Sequence, residues 1–276
     1  MSPATALRAS APPNRRQPWW REALQRERAL TLLAFVLALA LVPTLLAMAL
    51  DDRTLRGTSV WAKPAKFMAS IALFALTTAW FVGLLPAARR AARPVRALVW
   101  TLVLTAGAEI VYITIQAALG QASHYNFTSR FHMLAYQLMG AVALVMTATQ
   151  LVLAHQIVRH GDPALPPVWR EAVVLGLVMT FLLGVGAAAP LGNASPPSGP
   201  GLPLVGWHLG GGDLRPAHFL GTHAQQLVPL AGALLLRAWP ARARVALWAF
   251  AAGYTALWLI ALLRGLEGAA WLPPPP

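Results

Sequence analysis

Seven apolar runs, each long enough to cross a bilayer, alternate with short polar stretches along this chain, at 30–50, 65–86, 97–119, 131–155, 170–189, 214–236 and 244–264. About 20 apolar residues at the α-helical rise cover the ~30 Å of bilayer hydrocarbon, so each run predicts one transmembrane helix. Backbone amides in hydrocarbon find no water, which leaves helices as the conformation for runs of this length. The expected fold is all-α, a polytopic membrane bundle of seven transmembrane helices within 28–266. A Pro- and Arg-rich basic tail over 1–27 and a proline-ended tail over 267–276 are expected to be disordered. The first run resembles a signal peptide, with Ala47-Met48-Ala49 as a cleavage-like triplet. Its 21 residues exceed the roughly 7–15 of a signal core, so it is retained as a span.

Composition agrees with a membrane solvent: 57% hydrophobic, 11% charged, mean hydropathy +0.56. The balance of 22 Lys and Arg against 9 Asp and Glu gives +13. The positives lie in short clusters between apolar runs, which encodes orientation and not a nucleic-acid partner. With the N-terminus in the cytoplasm, fifteen basic residues fall inside and seven outside, so the C-terminus is expected outside. Trp19 and Trp20 precede the first span as an interfacial anchor. The chain has no Cys, which excludes disulfides, thiolate metal sites and cysteine nucleophiles. It also lacks phosphate-loop, nucleophile-elbow and dinucleotide-binding motifs.

The polar residues within the spans gather toward the outer face. Glu109 lies ten residues before the outer end of the third run, ~15 Å deep, where inserting an acid costs about 2.5–3.5 kcal/mol. Tyr112 and Gln116 follow at i+3 and i+7, on the same helical face. The sixth run opens with Asp213, Arg215, His218, His223 and Gln226, where Asp213 is a helix cap and Pro216 suits a first turn. On one ideal helix His218 and His223 diverge by about 140°, and Pro229 is a candidate kink. Lys66, His124, Asn126, His132 and Gln137 complete the outer set, with Trp61, Lys63 and Arg130 as interfacial anchors. The inner half of the bundle has almost no ionisable group, so a dead-end pocket open to the outside is expected, and not a conduit. The 190–213 loop, half of whose 24 residues are Gly or Pro, is expected to be a partly ordered lid.

Trp61-Ala-Lys63-Pro64-Ala-Lys66-Phe67, Ser123-His124-Tyr125-Asn126 and Gly212-Asp213-Leu214-Arg215-Pro216-Ala217-His218-Phe219-Leu220-Gly221-Thr222-His223 resemble, over roughly 51–235, an uncharacterised family of bacterial multi-pass inner-membrane proteins. Tyr125 and Pro216 depart from that pattern. The resemblance implies residence in the bacterial inner membrane and no particular chemistry. The residues point to a pocket that binds or senses a small polar ligand or a proton, with Glu109 as the titrating group. Three other readings stay open. One is a haem protein (haem b) ligated by His132 with His218 or His223. Another is a zinc-dependent hydrolase drawing on His124, His132, His218, His223, Asp213 and Glu109. The third is a structural subunit whose polar groups are interhelical glue. Neither cofactor is favoured, no catalytic residue is assigned, and whether the protein is an enzyme stays open.

Overall fold

A computed structural model describes residues 18–194, 197, 201, 202, 205–208 and 210–268. Its helices are α1 (Trp19–Arg26), α2 (Arg28–Leu50), α3 (Ala62–Val82), α4 (Ala87–Arg90), α5 (Arg93–Ala118), α6 (Arg130–His160), α7 (Pro167–Leu191), α8 (Arg215–Thr222), α9 (Ala224–Ala238) and α10 (Ala243–Glu267). Six of these, α2, α3, α5, α6, α7 and α10, are long and apolar enough to cross a membrane. Taken together, α8 and α9 make a seventh candidate, bent by 54°. The protein is an all-α, multi-pass membrane bundle.

Two features differ from the sequence reading. The stretch 1–27 is not disordered throughout: α1 forms within it, while residues 1–17 lie outside the described set. Ala23 is fully buried, and the Arg26 guanidinium stacks 4.1 Å from the Trp80 ring while donating to the Trp80 carbonyl. These are tertiary contacts between residues far apart in sequence, and a composition bias toward Pro and Arg does not reveal them. Secondly, the run at 214–236 is not one straight helix. It breaks at His223, whose φ of −99° and ψ of 6° leave the helical region, six residues before the suspected Pro229.

The seat of the broken helix explains how it is tolerated. Along α7, Gly176, Thr180 and Gly184 recur at i, i+4 and i+8, presenting small side chains on one face, as close membrane packing requires. Gly221 of α8 rests on that face: a Cβ there would lie 2.5 Å from the Gly184 amide nitrogen and 2.6 Å from the Leu183 carbonyl carbon. A break in the ladder frees backbone groups that hydrocarbon cannot satisfy. Thr180 accepts from the Gln225 amide at 2.7 Å, and the Tyr254 hydroxyl of α10 donates to the Leu220 carbonyl at 2.6 Å. One buried core links α2, α3, α5, α6 and α7 around Ala75, Leu102 and Leu177. A second links α7, α9 and α10 around Ala172, Val228 and Leu247.

Candidate functional site

Between α2 and α3, at the end of the bundle where α3 begins and α5 ends, a two-stranded hairpin pairs Thr54 with Ser59 and Leu55 with Thr58. Arg56 and Gly57 turn it with φ of 54° and 78°, the left-handed pair of a two-residue turn whose twist matches its strands. Asp51, at the end of α2, anchors the hairpin by accepting from Arg53 and, at 2.7 Å, from the Trp61 indole. Those bonds hold the Asp51 carboxyl well below its usual range, Arg53 contributing first. Tyr125, with φ of 53°, is the other non-glycine residue of positive φ among the described residues. The two strained residues meet: Arg56 donates to the Tyr125 carbonyl at 3.3 Å, with its guanidinium 5.7 Å from the Tyr125 ring. Each left-handed non-glycine residue costs on the order of 1–3 kcal/mol, and such strain concentrates where geometry is functional.

Glu109 lies beneath this cap. It is 4% exposed, among Ala106, Ile110 and Ile113 of α5, nine residues from the helix end at Ala118. Its carboxyl makes no hydrogen bond with any described residue and no ion pair within 4.0 Å. The charge it does feel is that of Lys63, from the first turn of α3. Lys63 in turn feels Arg56 and Lys66, and it also faces His124. Burial first, then the Lys63 charge, pushes the His124 ring down to about 3, so it is neutral near pH 7. His124 is held by the Ser123 hydroxyl at 3.3 Å and by the rings of Phe67 and Tyr136. Above Glu109 on the same face of α5, the Tyr112 hydroxyl and the Gln116 carbonyl oxygen are sealed from solvent with no partner among the described residues.

A second group adjoins the first through Lys66. Asp213, 1% exposed, accepts from Arg215 Nε at 2.8 Å and Nη2 at 2.7 Å, and from the amides of Arg215 and His208. Burial alone would raise this carboxyl, but those bonds outweigh it and hold it below its usual range. Lys66 donates to the Val205 carbonyl at 3.2 Å and feels both Asp213 and Arg215. Residues 205–208 of the suspected lid are thereby fastened over α3 and α8, and the Trp207 ring packs 5.2 Å from Phe219. Tyr125, whose hydroxyl donates to the Leu191 carbonyl, feels both Arg56 and Arg215.

The remaining candidates take other places. His218 faces the Gly184 carbonyl at 3.4 Å, and His223 packs 4.1 Å from Phe219 at the helix break. Gln226 donates to Thr77 at 3.3 Å, joining α9 to α3, and its carbonyl oxygen is sealed from solvent. No hydrogen bond or ion pair joins Glu109 to His218 or His223 among the described residues. Asn126 spends its amide on the loop itself, donating to Ala122 and accepting from Thr128. His132 sits at the start of α6, where its ring nitrogens face Ser129 at 2.8 Å and Gln121 at 3.1 Å. Gln137 is exposed on the flank of α6.

The described residues hold no group of three His, Cys, Asp or Glu able to share a metal ion. The zinc reading, which needs three or four such ligands, therefore has no site among the described residues, and both ring nitrogens of His132, the ligand common to the two haem pairs, are already taken up by Ser129 and Gln121. Sequence reasoning missed Lys63 as the charge that Glu109 feels, because a lysine at a span boundary reads as an anchor. It also passed over Gln150, Gln156 and Gln225, buried amides with unpartnered atoms, because a neutral amide in an apolar run carries no charge signal. No family model, curated protein or solved structure matches the chain.

Proposed function

We propose that this protein binds or senses a small polar ligand, or a proton, in a pocket facing the outer side of a bacterial inner membrane, with its N-terminus in the cytoplasm. The observation that carries this reading is the open pairing of Glu109 and Lys63. Glu109 feels the Lys63 charge inside the bundle, yet no ion pair within 4.0 Å closes between them and no donor of a described residue bonds the carboxyl. Buried polar groups are almost always bonded, and a native exception points to a water or ligand that completes it. The unpartnered Tyr112 hydroxyl and Gln116 oxygen extend that demand along the same face. A structural-glue role asks for the opposite, a carboxyl bonded to a facing helix. Four cations (Arg56, Lys63, Lys66, Arg215) against two carboxylates (Glu109, Asp213) favour a ligand bearing negative charge over a cationic one. The three quoted motifs, which carry the family resemblance, supply Lys63, Lys66, His124, Asp213 and Arg215 to this cluster.

Infrared difference spectra of the protein in nanodiscs, recorded between two pH values, test the role of Glu109. A titrating carboxyl band is expected in the wild type, displaced in Lys63→Gln and gone in Glu109→Gln, while circular dichroism shows all three equally helical. Superimposable difference spectra from wild type and Glu109→Gln would remove Glu109 from any protonation role.

A further inference from the structure

At the opposite, arginine-rich end of the bundle, α6, α7 and α10 bound a groove of about 410 Å³. Arg170, Glu171, Arg244 and Trp248 line it together with Val174 and Val178. Glu171 is fully engaged: one oxygen pairs with Arg244 Nε at 2.9 Å and the other accepts from the Trp248 indole at 2.9 Å. Arg170, partly buried in the first turn of α7, has a guanidinium with no hydrogen bond or ion pair among the described residues. Two guanidiniums against one carboxylate leave one uncompensated positive charge in the groove.

The walls are amphipathic along α7. Val174 and Val178 follow Arg170 at i+4 and i+8, so the apolar part runs ~12 Å from the guanidinium toward the bundle centre, close to the ~15 Å depth of one hydrocarbon leaflet. Trp248 stands beside the arginines, where an indole favours the headgroup level.

We infer that this groove holds one anionic phospholipid, its phosphodiester between Arg170 and Arg244 and an acyl chain along Val174 and Val178. A free phosphate would leave the apolar walls unused. A zwitterionic lipid would bring an ammonium to a site whose one carboxylate already has partners on both oxygens. Basic pockets between transmembrane helices at the cytoplasmic side recognise anionic headgroups in this manner.

Native mass spectrometry of the protein purified with equal amounts of phosphatidylglycerol and phosphatidylcholine tests the inference. One phosphatidylglycerol per chain should be retained in preference to phosphatidylcholine. Arg170→Gln should lower that occupancy about fivefold, Arg170→Lys should preserve most of it, and Arg130→Gln, at the other end of α6, should leave it unchanged. Because the Arg170 head bonds none of the described residues, Arg170→Gln should melt with the wild type. Equal retention of the two lipids by the wild type overturns the site without reference to any variant. So does unchanged phosphatidylglycerol occupancy in Arg170→Gln, displacement of the lipid by inorganic phosphate, or a dimer whose groove carries no lipid.

Discussion

Gly221→Ala is expected to unseat α8 from α7 and to lower the melting temperature in detergent, whereas Gly253→Ala is not. The added Cβ at 221 would meet backbone: the Gly184 nitrogen at 2.5 Å, the Leu183 carbonyl carbon at 2.6 Å and the Gly184 Cα at 2.7 Å. A long side chain can rotate away from such a contact, but two helix backbones in van der Waals contact have to separate. Over-packing costs about 1–3 kcal/mol and more where backbone shifts, so the upper part of that range is expected. Separation would also lengthen the bonds that serve the break, those from Gln225 to Thr180 and from Tyr254 to the Leu220 carbonyl. At Gly253 of α10 nothing lies within 4 Å of an added Cβ, so alanine there is a change of helix propensity alone. Equal melting of the two variants would mean that the α7–α8 contact does not fix the broken helix.

Asp213→Ala has an expected effect of similar size, and its effect is local. The carboxylate is 1% exposed and gathers the Arg215 side chain with the amides of His208 and Arg215. Removing one partner of a buried pair costs about 3–5 kcal/mol, because the other charge is left behind. The Arg215 side chain keeps 31% exposure, and water there places the expected loss at the lower end, about 3 kcal/mol. Hydrogen exchange should show the His208 and Arg215 amides losing protection while α2, α3 and α5 keep theirs. The pH dependence follows from a folded-state carboxyl held below its unfolded value. This stabilisation is fully present above the ordinary carboxylate range, near pH 4, and is lost as pH falls through the lower folded value. Protection of those amides that persists in Asp213→Ala would show that the lid segment is held by something else.

Much of this arrangement is legible in the amino-acid sequence, and the parts that are not have physical reasons. The apolar runs mark the spanning helices because hydrocarbon imposes length and composition on any segment that crosses it. Glu109 stands out because an acid far from either end of such a run is costly. The charge it feels is not legible, because Lys63 belongs to another helix and tertiary placement leaves no trace in spacing. The break at His223 is hidden for a related reason. Its freed backbone groups are satisfied by Thr180 and Tyr254, which lie 45 and 34 residues away from their partners. His132 and Asn126 read as pocket residues because they are polar and lie near the ends of apolar runs, yet local turn and cap bonds engage them. Polar side chains at a helix entrance serve caps as readily as ligands, and only the placement of their partners separates the two uses.

Cysteine accessibility tests the outward pocket most directly, since the chain contains no cysteine of its own. Gln116→Cys and Tyr112→Cys replace sealed side chains by a smaller one, opening the Glu109 face of α5 to a reagent that enters from the pocket mouth, and Val111→Cys places a thiol on a flank of α5 that is 56% exposed. Charged, membrane-impermeant methanethiosulfonates applied to sided vesicles should modify residues 116 and 112 from the outer side alone. The anionic reagent should be favoured over the cationic one once each is scaled to its rate with a free thiol. Residue 111 should stay unmodified, because a thiol in hydrocarbon neither ionises nor meets a charged reagent. Modification of residues 112 and 116 from the cytoplasmic side, or of neither from either side, would contradict a pocket open to the outside at Glu109.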